Sequence, residues 1–387
     1  MQSINRLFFS CYFYYSVMYL YKGLNIILRS LIMNDYIYIK LRDYLNMLPG
    51  GFPSTDTGIE LKILKKLFTE EQAVIFLKLS PMPDSVKNIA AKLNMEEGPA
   101  AEKLEVMASN GLVFRMRSKD GEFYSAISFI VGIYEFSLGK MDKELSEMME
   151  EYFPYIGGLW QGLKTKQMRV IPVNSSVESN SAIASYDSIY DLIKDKKLIS
   201  VSECICTKEK GLIGHKCGRP AERCIQFDHS ARFYIDNGLG RQIDQFELMK
   251  ILKMGEENSL VLSPMNMQNI VNLCLCCGCC CAFLNILKMS GSPAYEINSS
   301  YQARIDPDKC TACGECRKRC QMEAIAADKA NKAFKVDKTR CIGCGLCVPA
   351  CPEGAVIMIN KDDKVQQVPD NIVDLNIKIA KERGIIK

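Results

Sequence analysis

The sequence predicts an α+β multidomain chain. Three observations carry this reading. Capped helices and a two-strand signal lie between residues 60 and 128, helix and strand alternate between residues 186 and 262, and a cysteine run is duplicated between residues 310 and 351. At 387 residues the chain has room for roughly two to four domains. Hydrophobic residues make up 48% and charged residues 24%, a globular balance. A net charge of +4 gives no case for DNA or a membrane surface as partner. The 19 cysteines are many and bunched. Cys276-Cys277 and Cys279-Cys280-Cys281 are chain neighbours, badly placed for disulfides. Metal-bound thiolates in a reducing cytoplasm fit this pattern.

Residues 1–32 form an odd leader. Leu7 to Tyr21 carries no charge, and Leu24 to Met33 is apolar apart from Asn25, Arg29 and Ser30. The uncharged core is short for a spanning helix, and no small-residue cleavage site follows. Met33 is the expected true start, and a membrane anchor is the second reading. Cys11 in this leader is expected to bind no metal.

Residues 33–155 read as a helical domain. Thr69 with Gln72 forms a capping box for a helix through about Leu79. Pro81 and Pro83 break it. Asp84 or Ser85 caps a helix carrying Val86, Ile89, Ala90 and Leu93. Pro99 to Ser109 is the next helix, ended by Asn110-Gly111. Leu112 to Arg117 and Glu122 to Ile127 are strands around Lys119-Asp120-Gly121. Helix, helix, helix, hairpin is the order of a winged helix-turn-helix, and residues 60–128 resemble that fold. DNA binding is not expected from it. The recognition-helix position holds Glu102 and Glu105 against Lys103, follows Glu96 and Glu97, and has no Arg, Gln or Asn. Arg115, Arg117 and Lys119 are the cations of the wing. A protein-contact or structural role is the expectation. Phe129 to Phe153 is expected to continue mostly as helix.

Residues 156–300 read as a cysteine-rich α/β domain. Ser175 to Ser185 is a polar loop. Tyr186 to Lys194 is a helix and Leu198 to Ser202 a strand. Asp244 to Met254 is a helix with Glu247 three residues after its cap, and Ser259 to Leu262 is a strand. Neither a G-x-G-x-x-G nor a Walker A sequence is present.

Ten cysteines here need a cation to gather them. Cys204, Cys206, Cys217 and Cys224 form one sequence group. Cys274, Cys276, Cys277, Cys279, Cys280 and Cys281 form the other. Three readings stay open: one or two further Fe–S clusters, a structural zinc on Cys204, Cys206, Cys217 and Cys224, or a dithiol active site. His215 could replace a cysteine ligand, although a polar surface role is the simpler reading for it and for His229.

Residues 301–360 carry the clearest motif. Cys310, Cys313, Cys316 and Cys320 are spaced C-x2-C-x2-C-x3-C. Cys341, Cys344, Cys347 and Cys351 repeat that spacing 31 residues later, followed by Pro352. This segment resembles a bacterial-type two-cluster [4Fe–4S] ferredoxin, in which each run gives three thiolates to its own cube and the fourth to the other. The resemblance implies a ferredoxin-like domain with one cluster on Cys310, Cys313, Cys316 and Cys351. It places the second on Cys341, Cys344, Cys347 and Cys320. Ala324-Ile325 and Ala355-Val356 are expected as apolar covers, with strands around Ala303-Ile305, Phe334-Val336 and Val356-Ile359. Gln321 stands where the ferredoxin pattern has proline. Residues 361–387 are read as a C-terminal helix or tail.

Beyond this segment, Leu48-Pro-Gly-Gly-Phe-Pro-Ser-Thr, Val131-Gly-Ile-Tyr-Glu-Phe, Arg169-Val-Ile-Pro-Val, Cys204-Ile-Cys and the Cys-Cys-Gly-Cys-Cys-Cys run are similar to those of a group of anaerobe iron–sulfur proteins known as 4Fe–4S binding. That resemblance covers most of residues 36–360 and brings no reaction with it. Such proteins often have arginine after the C-x-C, where this chain has Thr207. The expected function is cytoplasmic electron transfer, as donor to or subunit of an anaerobic oxidoreductase, with redox proteins as partners. The alternatives are a redox-sensing winged-helix transcription regulator and a catalytic subunit whose middle cysteines do thiol chemistry.

Overall fold

The computed structural model describes residues 35–173, 176, 187–330, 332–361 and 367–387. The leader 1–32, with Cys11, lies outside the described residues, as does the 175–185 loop apart from Ser176. Among the described residues no helix is long and apolar enough to cross a membrane.

The N-terminal part opens with helix α1 (35–47), for which the sequence reading had no expectation. Helices α2 (Ile59–Leu67) and α3 (Glu70–Phe76) follow, α3 starting at the Thr69–Gln72 capping box. Ser85, not Asp84, caps α4 (Val86–Leu93), its side chain accepting from the Asn88 N–H. Helix α5 (Glu97–Ser109) begins two residues before Pro99, which sits in its first turn. Strand β1 (Asp84–Ser85) joins the hairpin β2 (Phe114–Ser118) and β3 (Gly121–Ser125) in the order β1-β3-β2.

The helix expected over Phe129–Phe153 is interrupted. Ile130, Val131 and Gly132 leave helical geometry, and Gly132 has φ 168°. A side chain there would press on Ile127, with 2.9 Å left to its Cγ1. Short turns α6 (Tyr134–Phe136) and Ser137–Lys140 lead into α7 (Lys143–Gln161), capped by Asp142. Helix α7 runs through the expected 155/156 boundary. The N-terminal core also takes in Ile205, Phe233 and Tyr234 from the middle of the chain. Phe233 stacks between Phe114 and Phe136, with ring centroids 5.1 and 4.4 Å away.

The middle of the chain carries α8 (Ile189–Ile193), β4 (Ile199–Glu203), α9 (Ile205–Leu212), β5 (Glu222–Phe227), α10 (Asp228–Asp236) and β6 (Arg241–Ile243). It continues with α11 (Gln245–Glu257), β7 (Val261–Pro264), β8 (Asn272–Cys276) and α12 (Ala282–Met289). Strand β7 lies two residues beyond the expected Ser259–Leu262. The sheet has the order β6-β4-β5-β8-β7, and all its pairings are antiparallel. Helix and strand alternate as expected, but no parallel pairing results: β5 follows β4 and β8 follows β7 as neighbours, while β6 returns to the far side of β4 and β7 lies at the opposite edge. One face buries Ile199, Val201, Ile225, Phe227, Leu273 and Leu275 beneath Leu248, Ile251 and Leu252 of α11. The opposite face carries a cross-strand row of Ser202, Cys224, Cys274 and Ser263.

The C-terminal segment pairs β9 (Tyr301–Ile305) with β12 (Val356–Asn360), Ala303 opposite Met358. It also pairs β10 (Ile325–Asp328) with β11 (Ala333–Val336). Helix α13 (Glu315–Arg319) lies inside the first cysteine run, and α14 (Ile372–Glu382) closes the chain.

Candidate metal centres

The ten upstream cysteines regroup in space. Cys204 is the N-cap of α9 and Cys206 lies in its first turn, while Cys281 is the N-cap of α12. Cys224 faces Cys274 across β5 and β8, and Cys276 shares the Cys274 face because strand side chains alternate. Their thiols form a continuous arc. Cys206 stands beside Cys204 and Cys281, Cys276 beside Cys281 and Cys274, and Cys274 beside Cys224.

The other four, Cys217, Cys277, Cys279 and Cys280, draw together elsewhere, all four sulfurs within 4.8 Å of one another. The quartet Cys204, Cys206, Cys217 and Cys224 suggested by sequence is therefore not what the fold assembles. The β5–β8 pairing takes Cys224 to Cys274. The loop before β5 takes Cys217 to the turn after β8, and the Cys274–Cys281 run splits at Cys277.

Arg223 lies between the groups and is 1% exposed. Its Nη2 donates to the Thr207 hydroxyl, and its Nε and Nη1 have no hydrogen-bond partner. Cys204, Cys277 and Cys217 are its charged surroundings. A buried cation without an anion costs several kcal/mol. Thiolates gathered on a metal offset that cost, so the donor set fits an anionic centre. Thr207 thus meets an arginine from the next strand. The Cys277 thiol is pushed well down, first by its hydrogen bond with Cys280 and then by Arg223.

Three acids and phenols missed in the sequence border the six-thiol arc. Burial pushes the Glu135 carboxyl up to about 8, with Cys274 and Cys204 nearby. Burial and the neighbouring Glu150 push Glu209 up to about 9. The Tyr134 hydroxyl donates to Glu209, and the Gly132 N–H donates to Glu135 at 2.6 Å. The available signal was Glu135 alone as a charge within the apolar Phe129–Phe136 stretch.

The C-terminal cysteines line two hollows. One, of about 300 Å³, is walled by Cys310, Cys313, Cys316 and Cys351, with Phe334, Ala355 and Val356. The other, of about 380 Å³, is walled by Cys320, Cys341, Cys344 and Cys347, with Ala324, Ile325 and Leu346. Each hollow thus meets three cysteines of one run and the fourth of the other.

Backbone N–H groups point at the sulfurs. Phe334 donates to Cys310 at 3.5 Å and Ala355 to Cys351 at 3.2 Å. Ala324 donates to Cys320 at 3.2 Å and Ala303 to Cys341 at 3.4 Å. Such donors fit sulfur that carries negative charge. Burial first, then neighbouring cysteines, pushes the Cys316 thiol up to about 11 and the Cys344 thiol up to about 12. Bare thiols there keep their protons, and a cationic centre binds by displacing them.

Residues 303–358 match the family model of a 4Fe-4S dicluster domain. All eight cysteines of the two runs lie in that match. No curated protein and no solved structure matches the chain. The dicluster segment meets the upstream cysteines through Gln321. Its Oε1 accepts the Gly278 N–H at 2.8 Å, and its Nε2 donates to the Arg319 carbonyl. Gly278 permits the approach, since a Cβ there would lie 2.5 Å from the Gln321 carbonyl oxygen. The break in the ferredoxin pattern at Gln321 is therefore a docking contact.

Proposed function

We propose that this chain is an iron–sulfur electron-transfer protein with two [4Fe–4S] clusters. Cys310, Cys313, Cys316 and Cys351 hold one, and Cys341, Cys344, Cys347 and Cys320 hold the other. The observation that carries the reading is the crossed lining of the two hollows, which repeats the ligand exchange of two-cluster ferredoxins. When bound, each cluster takes up and releases one electron. The chain's own residues supply the setting. The N–H groups of Phe334, Ala355, Ala324 and Ala303 favour the more negative, reduced state. Buried Ala324, Ile325, Ala355 and Val356 exclude water.

Cys313 is exposed, and Arg317 and Lys318 stand exposed on the adjoining helix α13. That edge suits an acidic redox partner. The upstream cysteines, reached through Gln321 and Gly278, hold the further centre. The role is donor to or subunit of an anaerobic oxidoreductase in the cytoplasm.

The N-terminal helices and hairpin serve as a winged-helix-like scaffold for protein contact. Supporting this, the two arginines of the wing are already engaged. Arg115 pairs with Glu105, and Arg117 pairs with Glu122 at 2.7 Å and Asp236 at 2.6 Å. Phosphate would have to displace these partners.

The test is anaerobic reconstitution, iron analysis and EPR of a Cys310→Ser/Cys351→Ser double variant. Crossed ligation predicts the loss of about four irons per chain, because both residues serve one cube. Loss of about eight irons would show each run holding its own cube. Protein that stays colourless after reconstitution would end the electron-transfer reading.

A further inference from the structure

We infer that Cys217, Cys277, Cys279 and Cys280 bind a single tetrahedral metal ion, zinc or iron, and not a cluster. The sulfurs are already close enough for one ion. Cys279 and Cys280 are 3.7 Å apart, Cys217 and Cys279 are 3.9 Å apart, and no pair among the four exceeds 4.8 Å. Four sulfurs at about 2.3 Å from one ion span tetrahedron edges of ~3.8 Å. On a cube, four thiolates bind four different irons and must stand farther apart. The dicluster segment gives an internal comparison. Among the described residues its eight cysteines, though they line two hollows, form no set this tight.

The donor set and its surroundings agree. Four soft thiolates with no His, Asp or Glu among them select zinc or iron over magnesium, calcium or manganese. Four thiolates around a divalent ion leave a dianion. Two cations meet it: Arg219 Nη1 donates to the Cys279 sulfur at 3.2 Å, and the buried Arg223 stands beside Cys277 and Cys217. Four protein ligands also leave no open position, as in sites that hold structure.

The ion would tie the loop between α9 and β5 to the turn after β8. That turn contains Gly278, on which Gln321 seats the dicluster segment. The site is thus a clasp beneath the junction of the two cysteine-rich regions. The six remaining cysteines, Cys204, Cys206, Cys224, Cys274, Cys276 and Cys281, belong to a separate centre. The inference rests on sulfur spacing and stands whether or not the dicluster segment carries electrons.

The experiment is iron, zinc and acid-labile sulfide analysis of the anaerobically purified full chain and of a Cys279→Ser/Cys280→Ser variant. Cubes contain iron and sulfide in equal number. In the parent, total metal is expected to exceed sulfide by about one atom per chain. The variant is expected to lose that one atom with sulfide and cluster EPR unchanged. If the ion is zinc, zinc alone falls. If it is iron, a high-spin ferric EPR signal and its visible absorption disappear. Loss of about four irons with matching sulfide would overturn the inference, as would equal metal and sulfide in the parent.

Should the variant fail to fold, X-ray absorption of the parent decides. Four sulfurs at about 2.3 Å around one ion, with no metal neighbour, are expected. A zinc site with other ligands, or, in zinc-free protein where the cubes dominate the iron absorption, the absence of a single-iron high-spin ferric EPR signal, would overturn the proposal. A failed dicluster reading looks different, because sulfide would then be missing from the parent altogether.

Discussion

Ala312 and Gly343 hold equivalent places in the two cysteine runs, and both adopt a left-handed backbone, φ 57° and 72°. Their surroundings differ. A Cβ at Gly343 would lie 2.2 Å from the Tyr301 carbonyl oxygen and 2.4 Å from Ser299 Oγ. Gly343→Ala is therefore expected to move the Cys341–Cys344 loop and remove the second cluster, about four irons per chain by iron analysis. Ala312→Gly is expected to leave iron content at parent level. It relieves left-handed strain at the expense of chain entropy, for a net gain of about 0.5–1 kcal/mol in denaturant unfolding. Equal iron in both variants would show that the contacts at Gly343 do not shape the loop. Arg223→Gln is expected to release upstream metal while leaving the dicluster EPR signals intact, because it removes the buried cation from beside Cys204 and Cys277. The eight C-terminal cysteines were legible in the sequence because their spacing sets which thiols face each hollow. Cys217 was not, since its partners depend on where a loop crosses β8, and nothing in the local sequence encodes that. The same holds for Arg223 and Glu209.

Elements with a side-chain cap were legible from local chemistry alone. Thr69 with Gln72 starts α3, and the Asp244 side chain accepts the Glu247 N–H at 2.7 Å to start α11. Helix α1 has no such cap among the described residues. The break at Ile130–Gly132 was hidden because Phe129–Phe136 is apolar throughout, a pattern equally suited to helix and to buried irregular backbone. Strand order in the middle sheet depends on long-range register, so the helix–strand alternation did not reveal that its pairings are antiparallel. The contact between the segment after Cys320 and the turn after β8 is also long-range, and Gln321 tests it. Gln321→Ala leaves the Gly278 N–H buried without its acceptor, at about 1–3 kcal/mol. The expected result is faster hydrogen exchange at the Gly278 amide and a lower denaturant midpoint, with iron in the dicluster segment unchanged. Unaltered exchange at Gly278 would show that Gln321 does not hold the two regions together.

Across the described residues, helix α14 is tied to the end of α1. Arg383, just beyond α14, donates to the Asn46, Leu48 and Pro49 carbonyl oxygens at 2.8, 2.6 and 3.3 Å. Glu382 accepts from the Lys164 and Thr165 N–H groups and from the Thr165 hydroxyl at 2.6 Å. Leu375 and Ile379 of α14 bury against Met168, Met265 and Met267. The C-terminal helix therefore meets the turn after α1, the end of α7 and the edge of the middle sheet. Among the described residues its apolar cluster includes Cys274 of the six-thiol arc but no residue of 303–358. Hydrogen bonds to a charged group contribute about 1.5–3 kcal/mol each in the more favourable cases, and neighbouring ones are not additive. Arg383→Ala is thus expected to lower unfolding stability by about 2–3 kcal/mol, with iron and sulfide content at parent level. Arg383→Lys, which keeps the charge but not the forked donor, should recover only part of the loss. If Arg383→Ala instead released iron without a shift in the unfolding midpoint, the helix would be serving the dicluster segment and not its contact with residues 46–49.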